Sequence, residues 1–189
     1  MFIDCFPILI YKNKINVDLK KSILLTKKEI KKDKIGVKLS NNGGYQSKVL
    51  NFKKVKFLFD KINAPVSEYC KKINFKGELI YANSWVNVNL KKDFNRLHDH
   101  PHSFLSGVLY FKVPKKSGRI VFENPAWWLR SFWPNEAFKT NGIYTSPEWV
   151  FNVEESMLIL FPSFLRHYVE PNETNEERIS FSFNLSFKK

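Results

Sequence analysis

Three of the four histidines fall in one short stretch, Arg96-Leu-His-Asp-His-Pro-His-Ser103. With an extended backbone there, His98 and His100 project to the same side, about 7 Å apart along the chain, and both imidazoles can reach one metal ion. Asp99 then faces the other way. Pro101 has no N–H for a ladder, so the strand should end there and His102 should enter the turn as a supporting or surface residue. The fourth histidine closes the run Met157-Leu-Ile-Leu-Phe-Pro-Ser-Phe-Leu-Arg-His167, a buried strand followed by a turn, and a strand end suits a third ligand. Past Glu170-Pro-Asn-Glu-Thr-Asn-Glu-Glu177 the chain returns with Arg178-Ile-Ser180, and a hairpin would bring Arg178 back beside His167, pointing inward.

Imidazole suits iron, zinc, copper and nickel alike, so the histidines leave the metal open. Arg178 narrows the chemistry. A guanidinium at the base of a polar cavity is unfavourable unless it meets an anion, and its planar fork matches a carboxylate with two parallel hydrogen bonds. Ser180, on the same strand face, can donate to the same carboxylate. A metal and a carboxylate clamp in one cavity fit a keto acid that chelates at one end and is gripped at the other. Each residue alone also has an ordinary reading: His98 and His100 as a solvated turn, His167 as a strand end, Arg178 in a surface ion pair with Glu176 or Glu177. Their agreement in one chain favours a metal site.

The elements that must position these groups follow from periodicity. Residues 2–11 read as a first strand, and 17–33 as a Lys-rich amphipathic helix with Val17, Leu24, Leu25 and Ile30 on its apolar side. Ser40-Asn-Asn-Gly-Gly-Tyr-Gln-Ser47 is a loop in which paired glycines supply positive φ angles. A second helix spans roughly 52–73, with Pro65 either kinking it or starting its second half. From Gly77 the period becomes two, predicting strands at 78–90, 96–101, 105–113, 118–123, 149–161, 166–170 and 177–187. In the last, Arg178, Ser180, Ser182, Asn184 and Ser186 alternate with Ile179, Phe181, Phe183, Leu185 and Phe187. One face is polar and the other apolar, as expected if the first lines a wet cavity while the second packs under the helices. The expected fold is mainly β, a jelly roll with its site in the mouth. Residues 125–148 form a long aromatic insertion, and Trp127, Trp128 and Trp133 within it are candidates for a wall of the substrate groove.

Composition sets the outer limits. A chain of 189 residues with 43% apolar and 16% aromatic content should fold as one domain without disulfides. Cys5 and Cys70 make neither a disulfide framework nor a zinc knuckle, and suit a reducing compartment. The N-terminus lacks the basic start of a secretory signal and no apolar stretch approaches transmembrane length, so the protein is read as cytoplasmic. The net charge of +13 is compatible with nucleic-acid contact, though a compositional bias toward Lys, Asn, Ile and Phe accounts for it equally well.

Taken in order, Trp85-Val-Asn-Val-Asn89, His98-x-His100-Pro, Ser106-Gly-Val-Leu-Tyr110, Phe161-Pro-Ser-Phe-x-x-His167 and Arg178-Ile-Ser-Phe-Ser-Phe-Asn184 resemble the 2-oxoglutarate/iron(II)-dependent oxygenase superfamily. Within it the chain looks closest to a group of little-characterised oxygenases of bacteria and phages, and more distantly like prolyl hydroxylases. The resemblance implies a double-stranded β-helix, cupin-like, at residues 77–189, with residues 1–76 supplying a strand and helices packed on one sheet. It implies Fe(II) and 2-oxoglutarate as cofactors, O2 as second cosubstrate, His98 and His167 as ligands, and Arg178 on the distal carboxylate. By position it also implies a cofactor contact from Tyr110 and a weaker one from Asn87. One departure stands out: most of the superfamily carries His-x-Asp where this chain has His98-x-His100, which leaves His100 as either a direct ligand or a neighbour of the metal. Two other functions remain open at this stage, a basic nucleic-acid-binding module and a cupin-like metal protein without oxygenase activity. A requirement for 2-oxoglutarate separates them from the first reading.

Overall fold

The computed structural model describes residues 1–130, 132–140 and 142–188. Ser131 and Asn141, both in the aromatic insertion, lie outside the described residues. Two antiparallel sheets face one another. The larger contains β1 (Tyr11–Lys14), β9 (Met157–Pro162), β6 (Leu105–Lys112), β11 (Arg178–Phe187), β4 (Leu79–Asn89) and β3 (Tyr45–Gln46), in that order across the sheet. The smaller runs β2 (Asn41–Asn42), β5 (Phe94–His98), β10 (His167–Val169), β7 (Ile120–Glu123) and β8 (Glu148–Phe151). Helices α1 (Leu19–Lys32) and α2 (Phe52–Lys72) cover the outer face of the larger sheet, and a short α3 (Trp127–Arg130) lies in the insertion.

Alternation divides the larger sheet's side chains between two apolar layers. Ile179, Phe181, Phe183 and Leu185 of β11 join Leu105, Leu109, Leu158 and Leu160 under α2, whose Val55, Leu58, Phe59 and Ile62 are buried. On the other face Val108, Tyr110, Ile159 and Phe161 meet Ile120 and Phe122 of the smaller sheet. Both helices start at a side-chain cap: Asp18 accepts from Lys21 N and Asn51 from Lys53 N, each at 2.9 Å. Pro65 is accommodated inside a single helix rather than dividing it.

Several expected boundaries are corrected. Residues 1–10 form no strand, and pairing begins at Tyr11, opposite Leu160, and ends at Lys14, opposite Met157. Pro7 has no N–H to offer a ladder there. On α1 it is Ile23 rather than Leu24 that packs inward, leaving Leu24 exposed. The fully buried Ser22 and Thr26 satisfy their hydroxyls on Asp18 O and Ser22 O. The single strand expected over 149–161 is two strands in different sheets, β8 and β9, parted at the polar residues Asn152 and Glu154-Glu155-Ser156, where Ser156 takes φ 66° and its N–H bonds Tyr110 O. β5 ends at His98, short of the expected 101. The Asn-Gly-Gly loop behaves as its composition predicts: Gly43 and Gly44, at φ 71° and 62°, carry the chain from β2 in one sheet to β3 in the other.

Candidate metal and cosubstrate site

His98 ends β5 and His167 opens β10, and the ladder sets the two directly opposite each other. His100 lies two residues beyond the strand, just before the turn at 101–102, and its N–H bonds Ser163 O at 3.0 Å. The three rings converge, with centroids 4.3 Å apart for His98 and His167, 5.1 Å for His98 and His100, and 5.2 Å for His100 and His167. Their candidate ligand atoms all lie within 4.8 Å of one another. Asp99 is exposed and outside this group, and His102 sits exposed in the following turn at φ 65°.

Hydrogen bonds fix which nitrogen is available. His98 Nδ1 lies 2.7 Å from Arg96 O, and His167 Nδ1 lies 3.0 Å from Leu165 O. A carbonyl can only accept, so in each ring Nδ1 carries the proton and Nε2 keeps its lone pair. Burial pushes all three imidazoles down from 6.5: His98 lowered, His100 to about 3, and His167 well below. Neutral rings with free lone pairs are what a divalent ion requires.

The cavity between the sheets joins these histidines to Arg178, Ser180, Tyr110 and Asn87 in its walls. Arg178 is only 2% exposed, and its Nη1 donates to Ser117 O at 2.7 Å and Gly118 O at 3.3 Å in the β6–β7 turn. Among the described residues no carboxylate bonds it; Glu170, the acid that acts on it through space, is engaged by Arg119. The desolvation of a charge without a bonded counter-ion lowers its pKa, and a bound anion would offset that penalty. Burial likewise raises the Tyr110 hydroxyl to about 12. Asn87 gives Nδ2 to Ser182 Oγ at 3.1 Å, while its buried Oδ1 has no partner, an open polar position in the cavity wall.

The expected hairpin between His167 and Arg178 does not form. β10 and β11 belong to different sheets, and the segment between them crosses over, held by fully buried Asn172, which donates to Asn89 O and Glu176 O. Arg178 therefore faces the histidines across the cavity instead of beside them. Sequence reasoning missed Asn95 and Trp85 as wall residues; Ser182 was visible in the β11 alternation. Trp127, Trp128 and Trp133 are exposed, and none of them lines the cavity or the groove that leads from it. That groove shares Trp85, His98 and His100 with the cavity and continues between Leu39, Lys48 and Val49 on one side and Arg96 and Asp99 on the other.

Residues 83–184, more than half the chain, match the family model described as "Putative 2OG-Fe(II) oxygenase". The chain belongs to this 2OG-Fe(II) oxygenase family. Iron(II) and 2-oxoglutarate are the metal and cosubstrate that the family name carries, and the neutral histidine cluster and the uncompensated guanidinium suit one each. No curated protein sequence matches the oxygenase. Among solved structures it is similar to a 2OG-Fe(II) oxygenase family oxidoreductase from Burkholderia pseudomallei, with TM-score 0.54 and 17% identity over 71% of this chain, spanning 55% of that one. A prolyl-4-hydroxylase from Pseudomonas putida matches with TM-score 0.65 and 12% identity, covering 95% of this chain and 93% of its own. The viral collagen prolyl hydroxylase of Paramecium Bursaria Chlorella virus-1, in its 2OG complex, matches with TM-score 0.61 and 14% identity, over 93% and 94%. At such identities the likeness establishes the fold, a double-stranded β-helix. Among the described residues, no helix of this oxygenase is long and apolar enough to cross a membrane.

Proposed function

We propose that the protein is a 2-oxoglutarate- and iron(II)-dependent hydroxylase in which His98, His100 and His167 hold the iron and Arg178 binds the far carboxylate of 2-oxoglutarate. The observation that carries this reading is the convergence on a single cavity of three neutral imidazoles and one buried guanidinium that, among the described residues, no carboxylate bonds. When bound, iron(II) and 2-oxoglutarate supply the oxidising chemistry, in which O2 is consumed, 2-oxoglutarate becomes succinate and carbon dioxide, and a substrate C–H bond is hydroxylated.

The protein's own part is positioning. Backbone carbonyls hold the His98 and His167 rings with Nε2 available, and packing beside Trp85 and Phe161 holds His100. Ser180 and Tyr110 sit opposite one another on β11 and β6, where both hydroxyls can add donors to the carboxylate that Arg178 binds. Asn87 is a fourth contact. Three neutral ligands leave the metal's charge uncompensated by protein, which strengthens the site's demand for an anionic cosubstrate. The groove beyond His98 and His100 receives the primary substrate, and the tryptophans of the insertion could touch only a substrate large enough to extend past it. Both cysteines are free, in keeping with a cytoplasmic protein.

Succinate release from 2-oxoglutarate, measured anaerobically preloaded with iron(II) and then exposed to air, tests the assignment. Arg178→Ala should abolish turnover while iron remains bound, and His167→Ala should lose both. Unchanged succinate formation in either variant would overturn it.

A further inference from the structure

The charge of this chain is segregated. Residues 1–76 contain 18 lysines against 6 acidic residues, whereas residues 77–189 contain 13 basic against 12 acidic residues. A chain-wide preference for lysine would enrich the β core as well, and the core is nearly neutral. The excess sits on α1, α2 and the segments around them, on the far side of the larger sheet from the cavity.

Helical geometry gathers these lysines on one face. On α1, Lys20, Lys27 and Lys31 recur at i, i+7 and i+11, and Lys21, Lys28 and Lys32 form the adjacent stripe. The opposite arc holds buried Ser22 and Thr26 against the sheet. On α2 the buried stripe of Val55, Leu58, Ile62 and Tyr69 likewise leaves Lys53, Lys54, Lys61, Lys71 and Lys72 outward. The two faces are continuous, because Lys54 reaches Glu29 of α1 at 2.8 Å and Lys21 of α1 lies over the Phe57 ring of α2 at 4.3 Å. Few acids dilute them: Glu29 engages Lys54 and Lys32, Asp60 engages Lys56, and Glu68 is the remaining acid within the two helices. Among the described residues Lys20, Lys27, Lys28, Lys31, Lys53 and Lys61 make no ion pair.

We infer that the outer face of α1 and α2 is a docking surface for nucleic acid, bound through its phosphates. Charge complementarity names a polyanion, and two further features choose among polyanions. A membrane-surface helix needs an apolar face to insert, but here the apolar faces are spent on the sheet, and the large apolar residues left exposed on the two helices and at the end of α2, Leu24, Phe52 and Ile73, are scattered. Second, the face carries lysine and no arginine, so it offers point charges to a backbone instead of forked contacts to base edges. Binding is accordingly independent of sequence. The 21 residues of α2 span about 30 Å, roughly the length of nine stacked base pairs.

Fluorescence anisotropy tests the surface without iron or 2-oxoglutarate, so its outcome is independent of the oxygenase assignment. Labelled single strands and duplexes of about 20 nucleotides are titrated between about 50 and 200 mM salt, beside vesicles containing an anionic lipid. Oligonucleotides of unrelated sequence should bind alike, with log affinity falling linearly against log salt. The variant Lys27→Glu/Lys28→Glu/Lys31→Glu/Lys53→Glu should bind more than about tenfold more weakly and with a shallower slope, losing about 0.9 per duplex phosphate contact removed. The same four positions changed to Gln should fall between it and the parent. Lys115→Glu/Lys116→Glu, which changes exposed lysines of the β core, should bind as the parent does. No oligonucleotide binding, equal loss in the core variant, or binding confined to the vesicles overturns the inference.

Discussion

At the scale of single residues, the site depends on keeping charge out of three imidazoles and inside one guanidinium. Burial holds the folded pKa of His98, His100 and His167 below the ordinary 6.5, with His100 near 3. A metal entering at neutral pH therefore displaces no proton, and calorimetry should find its affinity flat from about pH 8 down to about 6.5, weakening only at more acid pH. The metal-free fold responds with the opposite partner in view. Below 6.5 the histidines of the unfolded chain take up protons that the native ones refuse, so melting temperature should decline as pH falls from there toward 3 and hold steady above it. These residues were visible in the sequence because they interrupt apolar runs with groups that bury badly unless they have a task. What could not be read was how Arg178 is held. Its anchors are carbonyls of Ser117 and Gly118, 61 and 60 residues away in sequence, and any residue type presents a carbonyl.

At the scale of elements, the β6–β7 turn acts as the seat of that arginine. Gly118 has φ 89°, and a Cβ there would lie 2.2 Å from Glu170 O and 2.9 Å from Arg178 Nη1. Gly118→Ala should therefore raise the KM for 2-oxoglutarate by about tenfold or more through misplacement of the fork, while iron affinity stays as in the parent. Steady-state succinate assays and iron titration read the two quantities separately. Strict alternation made β11 legible almost to the residue, including which of its faces lines the cavity. The β8–β9 boundary was not: Asn152 and Glu154-Glu155-Ser156 interrupt the run 149–161, but polar residues between two apolar stretches also fit the outward positions of one continuous strand and carry no mark of a change of sheet. The crossover at 170–177 was mistaken for a hairpin for a related reason: turn composition records that the chain reverses, not which sheet receives it.

At the scale of the whole molecule, one apolar layer lies between the two sheets and another between the larger sheet and the helices, and the outer one should dominate stability. Phe183 is fully buried, 5.3 Å from Phe59 and 5.8 Å from Phe181 by ring centroid, so Phe183→Ala should cost about 3–5 kcal/mol in chemical denaturation. In the proposed site the cosubstrate would span the gap between the sheets. Added with iron(II) under anaerobic conditions, 2-oxoglutarate should raise the melting temperature of the parent beyond the effect of iron alone, and should do nothing further for Arg178→Ala. The division of labour in the fold, with helices on one side and cavity on the other, was readable from the change of period at Gly77. The uneven charge that follows it was readable too, once counted by segment rather than as a single total. Because the imidazoles hang from one wall and the guanidinium from the facing wall, the proposed site is complete only once both sheets have closed on one another. Specific activity is thus a direct gauge of how many molecules in a preparation have closed completely, and refolding followed by succinate output should lag refolding followed by helical signal.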